Sequence, residues 1–208
     1  MKSSMPLLLA AFSFTSIQGA AAQGTFIYDQ QSSVDGSYLE GALADIQGAQ
    51  PFGQSFTPSL SSVNFIRLYI YDSTAGGGGP GTLSVNLRTG SITGAILGTA
   101  DPVILEPGFS GLVNFHFASP VSLTPQDTYY FQPFVQAGGR WGTFEDRYNY
   151  SGGTAFGLGV PSSNFDLWFR EGIFVPEPSS AALLALGGGI FVLLRHRIVL
   201  GRPTPPST

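Results

Sequence analysis

Four aromatic residues give this sequence its clearest candidates for ligand chemistry. Trp141, Tyr148 and Tyr150 share one glycine-flanked segment, residues 138–153, and Trp168 follows in a later extended run. Such rings can stack on the apolar faces of pyranose sugars, and binding groups lie more often on loops than in core strands. These residues are therefore candidates for carbohydrate binding. The alternative interpretation is that the rings pack along the edge of the fold.

Carboxylates in and after the same segment raise the alternative of a hydrolase that acts on polysaccharide. Glycoside hydrolysis needs two convergent carboxyl groups about 5–9 Å apart. Glu145 and Asp146 are adjacent, so in a strand their side chains point to opposite faces. Pairing of either residue with Asp166 or Glu171 stays open at the level of sequence. We expect a protein that is not an enzyme.

Other catalytic and metal-binding classes find little support. The chain has no cysteine and two histidines, which excludes disulfides, cysteine-ligated metals and a three-histidine site. No Gly-x-Ser-x-Gly nucleophile motif accompanies His116, which we expect on the solvated face of a strand. A calcium ion at Asp72, Asp101 or Asp166 is left open, although no Asp-x-Asp spacing supports it. We expect no cofactor and no metal.

The central part of the chain is acidic. Residues 24–175 hold five arginines and twelve carboxylates, a net charge of −7, which argues against nucleic acid and anionic lipid as partners. The whole chain is 13% aromatic, too aromatic for a disordered polypeptide despite its 28 glycines and 15 prolines. This composition is typical of a folded, secreted module displayed at a surface.

Alternation of apolar and polar residues predicts β-strands in residues 23–174, the segment that must position the candidate residues. Glycine- and proline-rich turns separate the alternating runs. Residues 37–47 are the single weak candidate for a helix. The predicted strands are Asn64–Tyr71, Thr82–Arg88, Leu112–Phe117, Thr128–Gln136 and Phe165–Phe169. Short strands with turns at this spacing predict an all-β fold, an antiparallel two-sheet sandwich that is jelly-roll-like.

The first 22 residues have the three-part order of a secretory signal. A lysine and an apolar stretch precede Ala20 and Ala22, the small residues that signal peptidase needs, so cleavage is expected before Gln23. We expect residues 1–22 to be a signal peptide that forms an N-terminal helix and directs export across the inner membrane.

A second processing pattern lies near the C-terminus. It starts with Val175, Pro176, Glu177, Pro178 and Ser179, continues through the uncharged apolar residues 181–194, and ends at Arg195 and Arg197. The prolines favour an extended backbone, and Ser179 can cap a helix that follows. A 14-residue helix spans about 21 Å, short of the ~30 Å hydrocarbon core, but arginine side chains can snorkel to the interface. We expect one transmembrane helix with a cytoplasmic C-terminus.

This joint pattern resembles the PEP-CTERM sorting tail on surface proteins of many Gram-negative bacteria. The matching segment is residues 175–197; His196, which splits the basic pair, and residues 198–208, which we expect to be disordered, depart from the family pattern. The resemblance implies that an exosortase, a membrane transpeptidase-like enzyme, recognises the tail and cuts near Pro-Glu-Pro. The protein would be membrane-anchored before processing and then reach the cell surface or extracellular space. A plain anchor without processing is the alternative.

The resemblance also implies an exopolysaccharide or biofilm setting, because carriers of the tail are associated with both. The stretch Phe52–Thr57 before an aliphatic strand is similar to β-sandwich modules that precede such tails. The sequence therefore predicts an exported surface protein that is structural or carbohydrate-binding. Its expected partners are signal peptidase, an exosortase-type enzyme and exopolysaccharide. A polysaccharide hydrolase and a ligand-free spacer are the alternatives.

Overall fold

Strands are the regular secondary structure of the described chain. The structure is a computed structural model that describes residues 24–33, 41–75 and 77–176. The strands are β1 (Thr25–Gln31), β2 (Ala42–Asp45), β3 (Gly53–Phe56), β4 (Ser62–Asp72), β5 (Gly81–Thr89), β6 (Ile96–Thr99), β7 (Val103–Leu105), β8 (Ser110–Ser122), β9 (Tyr129–Ala137), β10 (Trp141–Asp146), β11 (Ala155–Gly157), β12 (Val160–Pro161), β13 (Asp166–Leu167) and β14 (Phe169–Val175). Within these ranges no helix has the length and apolar character to cross a membrane. The predicted signal helix and the predicted transmembrane helix lie outside the described residues.

The strands form two antiparallel sheets of seven strands each. The first sheet has the order β1-β14-β4-β10-β13, with β2 beside β10 and β8 beside β4. The second sheet has the order β12-β11-β3-β9-β5-β6, with β7 beside β5. The predicted all-β, antiparallel two-sheet sandwich is therefore confirmed. The fold forms because each long strand has one apolar face, which two stacked sheets remove from water together.

Alternate side chains of the long strands form the core between the sheets. On β5, the inward residues Leu83, Val85 and Leu87 are fully buried, as the alternation in residues 82–88 predicts. They share the core with inward residues of other strands: Ile66, Leu68, Ile70, Val113, Phe115 and Phe131. Burial of each large apolar side chain contributes roughly 1.5–3 kcal/mol, so this shared core holds the two sheets together.

The outward face of β4 is more buried than its sequence predicts. Phe65 lies on the face of β4 opposite to that of Ile66, yet it is fully buried. The rings of Phe26 and His116 lie 4.9 and 6.3 Å from the Phe65 ring and shield it from water. The alternation along β4 is correct, but side chains from neighbouring strands cover its outer row.

The weak helical candidate at residues 37–47 is wrong over the part that the structure describes. β2 (Ala42–Asp45) pairs with β10, and a turn follows in which Asp45 Oδ1 accepts hydrogen bonds from the backbone N–H groups of Gln47 and Gly48. Ala44 and Ile46 are both buried, which is the period of a strand. The aspartate competes with helix formation by bonding the backbone of the next residues.

The two ends of the sandwich body, Gly24–Val175, lie next to each other. β1 and β14 are antiparallel, and Thr25 pairs directly with Val175. Val175 ends β14 with 45% of its side chain exposed, and Pro176 after it is exposed as well. The other residues of the predicted cleavage and sorting motifs lie outside the described ranges: Ala20, Ala22, Gln23, Glu177, Pro178, Ser179, Arg195 and Arg197.

Candidate functional site

A polar cleft opens between the segment 147–154 and the turn 162–166. Its volume is about 190 Å³, below the roughly 300–1,000 Å³ of pockets that enclose drug-sized ligands. The side chains that line it are mostly uncharged and polar: Arg147, Asn149, Tyr150, Thr154, Ser162, Ser163, Asn164, Phe165 and Asp166. The cleft therefore suits a single polar ring rather than an extended apolar molecule.

A buried polar clamp joins the two sheets beside the cleft. Asp166, on β13 of the first sheet, accepts a 2.9 Å hydrogen bond from Nε2 of Gln54, on β3 of the second sheet. Gln54 Oε1 accepts the backbone N–H of Leu167 at 3.0 Å. The other oxygen of Asp166 accepts the backbone N–H of Tyr150 at 3.0 Å. Burial raises the pKa of Asp166, and the hydrogen bonds from Gln54 and Tyr150 oppose that rise.

Hydrogen bonds within each wall and between the two walls hold the cleft in place. Ser162 Oγ accepts the backbone N–H groups of Asn164 and Phe165 at 3.3 and 3.1 Å, which closes the turn. On the opposite wall, the backbone N–H of Thr154 donates to Ser55 Oγ at 2.8 Å, and the Thr154 hydroxyl donates to the Ser162 carbonyl. These bonds fix the polar lining before any ligand arrives, which reduces the entropy that binding must overcome.

Of the four predicted sugar-binding aromatics, Tyr150 lines the cleft. Its hydroxyl donates to Gln30 Oε1 at 3.0 Å, and its ring packs edge-on against Phe169 at 5.2 Å. Burial raises the pKa of the Tyr150 hydroxyl, which therefore stays protonated. Tyr150 contributes a fixed wall to the cleft rather than a free stacking platform.

The two tryptophans require a correction. Trp141 is fully buried in the core and Trp168 is 1% exposed, so neither indole presents a face on which a sugar could stack. The guanidinium of Arg170 lies over the Trp168 ring at 5.3 Å. Tyr148 is half-buried and does not line the cleft. The alternative interpretation, that rings in this region pack the sandwich, fits both tryptophans.

Sequence reasoning missed most of the polar lining. Asn149, Ser162 and Asn164 come from two separate loops, which the pairing of β13 with β10 and the hydrogen bonds of Tyr150 and Thr154 bring together. The usable signal was the polar run Ser162–Asn164 between two short extended segments, since such turn residues mark surface loops. Arg147, from the same segment as the candidate aromatic residues, also lines the cleft.

Of the carboxylates considered for hydrolysis, the structure pairs Asp146 with Asp166 and leaves Glu145 and Glu171 apart from them. Glu145 lies opposite Leu167, whereas Asp146 lies directly opposite Asp166 across β10 and β13. Burial raises the pKa of Glu145. Glu171 is fully buried and lines no part of the cleft; burial, with help from the nearby Asp29 charge, raises its pKa to about 9.

The remaining sites considered from sequence do not assemble in the described residues. His116 packs edge-on against Phe174 at 5.2 Å rather than pointing freely into solvent, and burial beside Arg67 lowers its pKa. Asp72 accepts bonds from Thr74 and from the backbone of Gly108, as a turn-stabilising residue does. Across residues 24–33, 41–75 and 77–176, no three His, Asp or Glu residues lie together as a metal site would require.

No family model, curated protein or solved structure matches this chain. The functional argument therefore depends on the side chains of the cleft and on the processing motifs of the sequence.

Proposed function

We propose that this chain is an exported surface or extracellular-matrix protein whose sandwich body binds carbohydrate through the polar cleft. The observation that carries the proposal is the lining: amide and hydroxyl groups from two hydrogen-bonded loops surround a space the size of one ring. Sugars are recognised largely by hydrogen bonds to their hydroxyls, and the amide and hydroxyl groups of the lining can supply such bonds.

The proposal includes the export route indicated by the sequence. Residues 1–22 act as a cleaved signal helix, and residues 175–197 act as a PEP-CTERM tail with one transmembrane helix, recognised by an exosortase-type enzyme. The body between them is a jelly-roll-like sandwich that works in an exopolysaccharide or biofilm setting. The exposure of Val175 and Pro176 at the end of β14 supports this route, because a processing enzyme needs an accessible segment.

A glycan array tests carbohydrate binding. Full-length protein in a zwitterionic detergent, which contains no sugar, is expected to bind a subset of the glycans. Asn164→Ala removes one amide at the mouth of the cleft and should weaken binding about threefold to tenfold, as the loss of one hydrogen bond predicts. Gln136→Ala, which removes an exposed amide on β9, is the matched control and should leave binding unchanged. Absence of binding to any glycan would contradict the proposal and favour the ligand-free spacer.

A polysaccharide hydrolase is the second candidate, and the opposition of Asp146 and Asp166 favours it. Directly opposed residues in antiparallel strands have Cβ atoms about 4.5–5.5 Å apart, close to the spacing of retaining glycosidases. Against this candidate, both oxygens of Asp166 already accept protein hydrogen bonds. Release of reducing ends from polysaccharide, lost in Asp166→Asn, would establish the hydrolase.

A further inference from the structure

We infer that the cleft selects a carboxylate-bearing sugar, a uronic acid residue of an acidic polysaccharide, and that Arg147 is the residue that recognises the carboxylate. This inference rests on the proposed carbohydrate-binding function and specifies the class of sugar. Three features of the cleft support it: the position of Arg147, the hydrogen bonds that Asp166 already accepts from the protein, and the hydrogen-bond donors of the uncharged lining residues.

Arg147 is an exposed cation at the edge of the cleft. Its guanidinium lies over the Phe165 ring, with Cζ 5.9 Å from the ring centroid. The ion pair found in the described part of the chain joins two other residues, Arg140 and Asp45. Arginine presents its N–H groups as a planar fork that matches a carboxylate, and stacking on an aromatic ring limits the motion of that fork.

The one carboxylate in the lining does not compete for this guanidinium. Asp166 is 7% exposed, and its two oxygens accept hydrogen bonds from Gln54 and from the backbone of Tyr150. Both of its oxygens are therefore engaged by donors of the protein itself. In the described residues Arg147 forms no ion pair with a protein carboxylate, so its guanidinium is available to a ligand carboxylate.

The uncharged lining groups add hydrogen-bond donors. Ser162 Oγ accepts two backbone N–H groups, which leaves its own hydrogen free to donate. The amides of Asn149 and Asn164 each bring two further N–H donors. A site rich in donors favours a sugar rich in acceptor oxygens, and a uronic acid carries two more strong acceptor sites than its neutral counterpart.

The acidic body does not oppose such binding at contact distance. Residues 24–175 carry a net charge of −7, which repels a polyanion at long range. At physiological ionic strength, however, charges separated by more than about 8 Å are largely screened, whereas a bidentate contact to arginine is not. Binding of an acidic polymer is therefore confined to the cleft.

Two oligosaccharides with the same backbone test the inference. Cellohexaose and β-1,4-linked hexaglucuronate differ in that each hydroxymethyl group of the first is a carboxylate in the second. Isothermal titration of full-length protein in zwitterionic detergent, at 0.15 M salt, is expected to show about tenfold or greater preference for hexaglucuronate, the typical gain from a charge-assisted hydrogen bond.

Variants assign the preference to one side chain. Arg147→Gln should remove the preference, so that hexaglucuronate and cellohexaose bind about equally, and Arg147→Lys should keep part of the preference. Arg140→Gln, which removes an exposed arginine outside the cleft lining, is the control and should keep the preference. Equal or weaker binding of hexaglucuronate by the wild type, or an undiminished preference in Arg147→Gln, would overturn this inference and leave the proposed function standing. Failure to bind any glycan would overturn both.

Discussion

Gln54 is the residue with the largest expected effect on the integrity of the cleft. Its amide bonds Asp166 and the backbone of Leu167 across the buried space between the sheets. Gln54→Leu leaves an acceptor and a donor buried without partners, at roughly 1–3 kcal/mol each. We therefore expect the free energy of unfolding to fall by about 2–6 kcal/mol. Urea unfolding followed by tryptophan fluorescence measures this, because Trp141 and Trp168 are both buried.

Gln132 offers a matched control for this substitution. It also makes two side-chain hydrogen bonds, with Arg88 and Gln50, but it lies on the partly exposed outer face of the second sheet. In Gln132→Leu, water can bond the groups that Gln132 bonded, so the free energy of unfolding should fall by less than about 1 kcal/mol. If the free energy of unfolding falls equally in Gln54→Leu and Gln132→Leu, the buried clamp stabilises the fold no more than an exposed hydrogen-bonded pair does.

Glu171 makes the stability of the protein depend on pH. Burial and the Asp29 charge raise its pKa from an ordinary 4.5 to about 9. Between these values the folded protein holds a proton that the unfolded chain releases, so the free energy of unfolding falls as pH rises. The slope approaches about 1.4 kcal/mol per pH unit. Urea unfolding at pH 5, 7 and 9 measures this dependence. Between pH 5 and pH 9 the free energy of unfolding should fall clearly less in Glu171→Gln than in the wild type.

The control for that series is Glu106→Gln, which removes a carboxylate from an exposed turn. It should reproduce the pH dependence of the wild type. Asp166 and Glu145, whose pKa values are also raised, leave a weaker dependence of the same sign in Glu171→Gln. A Glu171→Gln protein that loses stability with pH as steeply as the wild type would show that this carboxyl does not hold a proton in the folded state.

Single residues also show where sequence reasoning stops. The alternation in residues 165–169 puts Leu167 and Phe169 on one side and Trp168 on the other, yet all three are buried. Periodicity reports which face of a strand a residue is on, and it does not report whether another side chain covers that face. Trp168 is covered in this way, and Trp141 lies in the core between the sheets.

At the scale of elements, Gly81 lets β5 of the second sheet approach β10 of the first. A methyl group at this position would overlap the buried indole of Trp141. Gly81→Ala should therefore destabilise the fold by about 1–3 kcal/mol, the usual cost of overpacking. Gly157→Ala on β11 is the control, because its added methyl group meets open space. If thermal unfolding shows equal melting temperatures for the two variants, the approach of these strands is looser than described.

The long strands β4, β5, β8 and β9 were predictable, whereas β1, most of β14 and most of the short strands were not. The predicted runs Asn64–Tyr71 and Thr82–Arg88 differ from β4 and β5 by one or two residues at each end. β11 and β12 have three and two residues, too few for a period of two to be recognised, and the predicted run Phe165–Phe169 joins β13 to the start of β14. These short strands shape the cleft, so the part of the fold that builds the candidate site was the part least visible in the sequence.

Pro133 lies within β9, which runs between β3 and β5, although a proline in a strand is typical of an edge or a bulge. The pairing of β9 with β3 ends at Phe131, so Pro133 lies on a stretch where β3 no longer takes part, and Gln50 donates to its carbonyl instead. The missing N–H of the proline therefore costs no ladder hydrogen bond on that side.

At the scale of the whole molecule, strand pairing determines where the ends of the body lie. Fold class followed from composition and alternation, because many short strands with glycine and proline turns permit few architectures. The strand order did not follow, since β1 pairs with β14 across almost the entire body. That pairing puts the predicted signal-cleavage end and the predicted sorting end side by side, a relation that no local pattern contains.

Intact mass of protein released from the surface of the source cells tests both ends together. We expect the mature chain to start at or near Gln23 and to end close to Pro176–Pro178, because Pro176 is exposed and directly follows the last paired residue of β14. Replacing both prolines, Pro176→Ala with Pro178→Ala, should retain the tail and keep the protein in the membrane fraction, since the extended backbone that the prolines favour is lost. Gln136→Ala should be processed normally. Membrane-free protein that still ends at Thr208 would contradict processing at the sorting motif.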